Sequence, residues 1–209
     1  MKFNNETLRI AVKEWLKDET TAEAKYGHIS DWDTSEVTVM SYLFSWDTFN
    51  QDISSWNVSK VTNMSNMFDN ARAFNQPIGN WDVSEVTDMS EMFYGADSFN
   101  QSIGNWDISK VTSIRTMFCF AKVFNQDISS WDVSKVTNME RMFNYSEAFN
   151  QPLNNWDVSK VTNMEKMFNR ARAFNQPIGN WDVSKVTNME RMFNSAKAFN
   201  QPLNNWDVS

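Results

Sequence analysis

The chain has 209 residues, a formal net charge of −7 and 41% hydrophobic content weighted toward Trp, Phe and Met. The acidic balance excludes the basic face that a nucleic-acid partner requires and argues against anionic membrane surfaces. No run approaches the roughly 18 apolar residues of a membrane span, and the single cysteine, Cys119, excludes an internal disulfide framework or a cysteine-based zinc cluster.

The first segment reads as helical. Leu8, Val12, Trp15 and Leu16 recur at i, i+4, i+7 and i+8, one apolar face of a helix over about 6–17. Asn5 stands as its N-cap, with Glu6 in the first turn. A second short helix is expected from Thr21 to Tyr26, ended by Gly27. His28, the one histidine, reads as a packed or hydrogen-bonded residue of this segment. The polar, charge-studded start is not a signal peptide, so the compartment stays open. Residues 1–31 are expected to form an N-terminal helical cap, covering the apolar end of the remaining chain.

From Trp32 onward the chain repeats. Tryptophans stand at Trp56, Trp81, Trp106, Trp131, Trp156, Trp181 and Trp206, each 25 residues after the last, with Trp32 one residue out of step. A fixed period of this size marks units that stack on their neighbours. Residues 32–209 divide into seven such repeats and the start of an eighth.

Within a unit two periods meet. Ile78, Trp81 and Val83 suggest a short strand centred on Trp81-Asp82-Val83, with Trp and Val on one face. Val86, Met89, Met92, Phe93 and Ala96 show helical spacing, with Ser84 as N-cap and an end near Gly95 or Ala96. Each unit is therefore expected to run strand, turn, helix, turn. The fold class is an α/β repeat solenoid, leucine-rich-repeat-like, with short parallel strands on a concave face and helices on a convex face. The structural core is the column Trp81, Trp106, Trp131, Trp156 and Trp181, with the helix and turn phenylalanines such as Phe93 and Phe99. Ser90-Glu91, Arg115-Thr116, Glu140-Arg141 and Glu165-Lys166 are expected on the solvated convex side, and Cys119 on an outer or turn-side helix position.

Two polar columns carry the functional question. Asn-Gln stands after the turn phenylalanine in every unit, including Asn75, Asn100, Asn125, Asn150 and Asn175. The pair is either a turn ladder satisfying backbone groups of adjacent units or a repeated ligand site. An acid stands after nearly every Trp: Asp82, Asp107, Asp132, Asp157 and Asp182, with Asn57 the exception. Carboxylates stacked about 5 Å apart repel by ~0.8 kcal/mol per neighbouring pair in water. Either each accepts N–H groups at the start of a helix, or the row is a concave-face interaction site for calcium or a cationic partner. One Asp per unit supplies too few oxygens for calcium alone. The position before each strand varies as Asp52, Pro77, Ser102, Asp127, Pro152, Pro177 and Pro202, and is a further candidate for a reading surface.

The phased core FNQ-x-[IL]-x-x-W-[DN]-[VI]-S-x-V-T-x-[MI]-x-x-MF, as at Phe149 to Phe168, resembles the 25-residue repeats of BspA-like leucine-rich-repeat surface proteins. The likeness is to the mycoplasma-type lipoprotein branch, a domain of unknown function. Tyr26 to Phe44 resembles the junction of cap and first repeat in that family. The resemblance covers about residues 6–209. It implies surface display, adhesion or host interaction, an extracellular or surface location, and no catalytic residues.

The expected function is thus a non-enzymatic scaffold for a protein or cell-surface ligand. It has no catalytic, metal or cofactor site, no cofactor and no nucleic-acid partner. One histidine, no nucleophile–base constellation and no phosphate loop leave little for catalysis. The alternative is a structural protein that self-associates end to end through an uncapped C-terminal end.

Overall fold

The computed structural model describes residues 1–46 and 48–207. Two helices open the chain, α1 (Asn5–Lys17) and α2 (Glu19–Tyr26), and one 3₁₀ turn comes after them at Ile29–Asp31. Asn4, not Asn5, caps α1: its Oδ1 accepts the N–H groups of Glu6 and Thr7, and Thr7 closes a capping box. Asp18 ends α1 and caps α2 through the Thr21 N–H at 3.1 Å. Gly27 ends α2 at φ 79°, a left-handed value that glycine adopts without strain.

The expected α/β leucine-rich-repeat-like solenoid is not the fold. Beyond Asp31 the described residues contain no helix, and strand pairing is confined to isolated bridges. The stretch Trp81-Asp82-Val83 forms no strand. The parallel bridges fall six residues downstream, where a helix was expected, and link Val39, Asn63, Asp88, Ser113, Asn138, Asn163 and Asn188 in series.

The backbone hydrogen bonds explain this. In residues 64–71 the N–H groups alternate in destination. Those of Met64, Asn66, Phe68 and Asn70 donate to Asp88, Ser90, Met92 and Tyr94 of the next coil. Those of Met67, Asp69 and Ala71 close tight turns onto Met64, Asn66 and Phe68. A helix would send every N–H to the i−4 carbonyl along one axis. Here two residues per coil take positive φ, Asn66 at 58° and Asn70 at 54°, and this swings alternate peptide groups out toward the neighbouring coil. The pattern recurs, for example at Lys166 and Arg170 (φ 53° and 59°). Each coil is thus a run of turns, and backbone satisfaction is split between the coil and its neighbour.

Asx turns shape the rest of the path. Asn63 Oδ1 accepts the Ser65 N–H at 2.9 Å, and Asp52 and Asp127 accept the N–H groups of Ser54 and Ser129, each at 2.9 Å. The turns point Met64, Met67, Phe68 and Ala71 inward, where all four are fully buried. Phe68 lies on Phe74 of its own coil at 3.9 Å and on Phe93 of the next at 5.6 Å, and this double phenylalanine ladder runs the length of the stack. Each ring offers about 150–250 Å² of surface. At ~25 cal/mol per Å² that is several kcal/mol per ring, an upper figure. Such burial orders coils that have little regular secondary structure of their own.

The helical segment imitates a preceding coil. Thr62 N–H donates to Thr38 of the coil before it. Thr38, having no such coil, donates to the Asn5 side chain at 2.8 Å. Ser65 carbonyl accepts Tyr42 N–H, while the equivalent Ser41 carbonyl accepts the Arg9 guanidinium at 2.7 Å. Asn5 and Arg9, one helical turn apart, thereby satisfy the edge of the first coil. Trp15 packs edge-on against Trp32 at 5.7 Å and covers its apolar end. His28 lies against Trp15, with Nδ1 2.7 Å from Ser30 Oγ. Val208 and Ser209, with which the expected eighth repeat breaks off, lie outside the described residues.

Candidate functional site

The tryptophan column does more than fill the core. Trp81, Trp106, Trp131, Trp156 and Trp181 are 3–4% exposed, so the indole N–H must find a partner inside. Each donates to a backbone carbonyl of the coil before it: Ile53, Ile78, Ile103, Ile128 and Leu153, at 3.0–3.2 Å. The helical segment serves again at the start, where Trp32 donates to Gly27 and Trp56 to Ile29. Each Trp of the column from Trp81 to Trp181 therefore pins two coils in register.

The Asn-Gln column is equally occupied. Asn75 Oδ1 accepts the Asn100 N–H at 3.0 Å and the Gln101 side-chain amide at 3.0 Å. The same oxygen in Asn100, Asn125, Asn150 and Asn175 serves the next coil. These side chains sit half-buried or exposed at the turn, with the acceptor oxygen committed to stacking.

The aspartates are exposed, and none stands at a helix start. Oδ1 of Asp82, Asp107, Asp132, Asp157 and Asp182 accepts the N–H of the serine two residues on, at 3.0–3.1 Å. Ser84, expected to cap a helix, instead gives both its N–H and its hydroxyl to Asp82. The serine hydroxyl and then its N–H hold the carboxyls of Asp107, Asp132, Asp157 and Asp182 below the ordinary carboxylate range. Repulsion from the neighbouring aspartate is a minor opposing influence at Asp132, Asp157 and Asp182. The row is a set of turn-forming acceptors. Among the described residues no three His, Cys, Asp or Glu side chains are grouped to hold a metal ion.

Cys119 lies inside, not on an outer helix. It is 1% exposed, accepts from the Asn144 amide at 3.3 Å, and burial pushes its thiol up to about 12. That is the environment of an inert packing residue. The pairs expected on a convex helical face occupy the left-handed turn. Glu91, Thr116, Arg141 and Lys166 all have positive φ, and Thr116 is only 5% exposed. Charges join across coils there, Glu91 with Arg115 and Glu165 with Arg141.

One face was not singled out in the sequence. It comprises the second left-handed position of each coil and its neighbours. Tyr94 meets Phe120 edge-on at 5.6 Å, Phe120 stacks on Tyr145 at 4.5 Å, and the Arg170 guanidinium covers Tyr145 at 4.8 Å. Phe120, Tyr145 and Arg170 have φ of 61°, 61° and 59°, values that cost bulky residues of order 1–2 kcal/mol. The corresponding residues elsewhere are Trp46, Asn70, Gly95 and Ser195, of which Asn and Gly are the ones this conformation favours. The sequence signal is a column that changes from Trp46 through Asn70, Gly95, Phe120, Tyr145 and Arg170 to Ser195, but under a helical reading it falls on an ordinary outer position. Beside this strip, Asn70, Arg72, Tyr94, Gly95 and Phe120 line an open hollow of about 200 Å³, and a Cβ on Gly95 would lie 2.7 Å from Asn70 Oδ1.

On another side, Pro77, Gly79 and Asn80 line a shallow groove with Gln101 and Asn105, and the same groove recurs 100 residues on at Pro177, Gly179 and Asn180. Gly79 is required there: a Cβ would lie 2.2 Å from the Ser102 carbonyl oxygen of the next coil.

A family model described as "Mycoplasma protein of unknown function, DUF285" matches residues 13–131 and again 119–209. No curated protein matches the chain. No helix among the described residues is long and apolar enough to cross a membrane.

Proposed function

From the premise that this chain belongs to the DUF285 family of mycoplasma proteins of unknown function, we propose that it is a non-enzymatic binding scaffold for a protein or cell-surface ligand. The binding face is the left-handed turn face rather than the aspartate row. The observation that carries this reading is the division of labour among columns. Trp, Phe, Asn-Gln and Asp-Ser recur in coil after coil and are consumed by stacking, indole pins and turns. The column holding Asn70, Gly95, Phe120, Tyr145 and Arg170 changes character with every coil while its backbone stays the same. A stiff frame displaying changing side chains at one place is how stacked repeats make a reading surface. Exposed or half-buried aromatic and arginine side chains are the types that anchor interfaces.

The test is capture of fluorescently labelled protein on cultured cells and on immobilised extracellular-matrix protein, read by flow cytometry and surface resonance. Tyr145→Asn with Arg170→Asn is expected to reduce capture while keeping the circular dichroism of the parent and a melting temperature no lower than the parent's, since Asn relieves the left-handed strain at both positions. Asp132→Asn with Asp157→Asn is expected to leave capture unchanged. Loss confined to the aspartate pair would move the site to that row and overturn the assignment.

A further inference from the structure

We infer that the groove between α1 and the first coil is a docking site for an acidic peptide segment that carries an aromatic side chain. The inference rests on the reading of the left-handed turns as the binding face, and it gives the first-coil end of that face a partner class.

Two observations set this place apart. The first is exposure. Among the described residues Tyr42 and Trp46 are the only aromatic side chains that lie mostly in solvent, at 60% and 74% exposed. Both stand in left-handed turns, at φ 60° and 62°, where a bulky residue is strained. One coil on, the place of Tyr42 is taken by Asn66 at φ 58°, a residue type that tolerates this conformation. The two rings therefore add little to the core and strain the backbone that carries them. Strained positions cluster at ligand clamps, and Tyr and Trp are the side chains that anchor interfaces.

The second is the groove beside them. Tyr42, Leu16, Val12 and Leu43 line an open groove of about 280 Å³, with Arg9 and Lys13 on its helical side and Ser45 on the other. Val12 and Leu43 are buried and form its base. An apolar base under a few placed polar groups is the pattern of a site that orients what it buries. The polar groups here are cations. The Arg9 guanidinium is fixed by donating to the Ser41 carbonyl at 2.7 Å and to Ser41 Oγ at 3.3 Å. Neither Arg9 nor Lys13 forms an ion pair among the described residues, whereas Lys2 and Lys25 are paired with Glu36 and Glu14. No carboxylate lines the groove. Of the nearby acids, Glu6 lies in the first turn of α1, before Arg9, and Glu14 is held by Lys25. Asp69 is only 8% exposed and is bound by Asn70 and by the Ser45 hydroxyl.

The spacing fits an extended segment. Arg9 and Lys13 are one helical turn apart, a rise of about 6 Å. Side chains on one face of an extended chain recur every ~6.6–6.8 Å. Carboxylates at alternate residues therefore meet both cations, and the residue between them turns toward Tyr42. An anionic bilayer would have to approach a chain of net charge −7, whereas a short segment meets the groove alone.

The experiment uses the full chain and two fluorescently labelled peptides, one alternating aspartate and phenylalanine, the other alternating asparagine and phenylalanine. Binding is read by fluorescence polarisation and titration calorimetry. The acidic peptide is expected to bind saturably, and the amide peptide at least about tenfold more weakly, through loss of charge-assisted contacts. Lys13→Gln and Tyr42→Asn are each expected to weaken the acidic peptide by about fivefold or more. Tyr42→Asn should melt no lower than the parent, since Asn66 already occupies the same turn. Lys135→Gln, at an exposed lysine far along the stack, is expected to bind as the parent does. Equal binding of the two peptides overturns the proposal, as does parental binding by Tyr42→Asn or Lys13→Gln, or an equal loss in Lys135→Gln. So does no binding of the acidic peptide up to about 1 mM. Its displacement by phosphatidylcholine vesicles containing phosphatidylserine would make the groove a membrane contact and overturn the proposal too. Cell capture that remains sensitive to Tyr145 and Arg170 in any of those cases would leave the scaffold reading standing while this one falls.

Discussion

Residues 8–15 and residues 64–71 carry the same apolar spacing and fold differently. Leu8, Ala11, Val12 and Trp15 lie at i, i+3, i+4 and i+7 and form one face of α1, all buried. Met64, Met67, Phe68 and Ala71 have the same intervals and are equally buried, yet their backbone is a chain of turns. In α1 every interior N–H is satisfied within the helix, and Asn4 and Thr7 cap its start. In the coil half of those groups are satisfied by another coil about 24–25 residues away. Composition contributes, since Asn, Ser and Asp favour turns over helix interiors. It does not decide. The coil holding Met164-Glu165-Lys166-Met167 contains good helix formers, and Lys166 still stands at φ 53°. What decides is that a stack of identical coils can pair carbonyls and N–H groups laterally along its whole length, an option that a segment with a single neighbour lacks.

The largest effect that tests this contrast is at the indole pin. Trp131→Ala is expected to cost ~3–5 kcal/mol, the range for a large buried aromatic. Trp131→Phe keeps an aromatic ring but leaves the Ile103 carbonyl without its 3.1 Å donor, and should cost about 1–3 kcal/mol. Urea unfolding monitored by circular dichroism measures both. A Phe variant as stable as the parent would mean that the intercoil hydrogen bond adds nothing beyond ring burial.

A smaller effect separates the two regions by sign. Thr116 is β-branched, stands at φ 61°, and its buried hydroxyl has no hydrogen-bond partner among the described residues. Thr116→Gly is expected to raise stability by about 1 kcal/mol through relief of that strain. Lys13→Gly, in the interior of α1, is expected to lower it by about 1 kcal/mol. Thermal melts of the two variants should therefore shift in opposite directions. A fall for both would indicate helical backbone at Thr116.

The smallest effect is in the acid limb. The Asp132 carboxyl is depressed below its ordinary value of 3.8 by the Ser134 hydroxyl and N–H. A carboxyl with a lowered folded value contributes stability that is present above its unfolded value and is lost as pH falls through the folded one. Asp132→Asn keeps an acceptor for Ser134, as Asn57 does for Ser59 at 3.1 Å, but cannot titrate. Its melting temperature should therefore fall less steeply than the parent's below about pH 4. Because the group is exposed, the difference should be small and insensitive to millimolar calcium. A steeper acid limb in Asp132→Asn would reverse the assigned sign.

Several features are legible in the amino-acid order alone. The 25-residue period and the phase of its columns are visible there. So is the amphipathic first helix, displaced by one residue at its start because Asn4 and Asn5 are equally good caps by type. The expected strand at Trp81-Asp82-Val83 and the helix after it were read from spacing, and spacing reports which side chains face inward, not which peptide groups pair. An interval of three or four is produced by a helical turn and equally by successive tight turns with left-handed residues. The choice between them was made by partners about 25 residues away: the carbonyl of Tyr94 for the Asn70 N–H, or the oxygen of Asn75 for the Asn100 N–H. The candidate site depends on the same choice. Tyr94, Phe120 and Tyr145 come from three different coils, and only the lateral stacking of coils sets ring beside ring. Local order determined the inward pattern, because burial depends on side-chain type. Stacking determined the backbone path, because a hydrogen bond needs both of its partners in place.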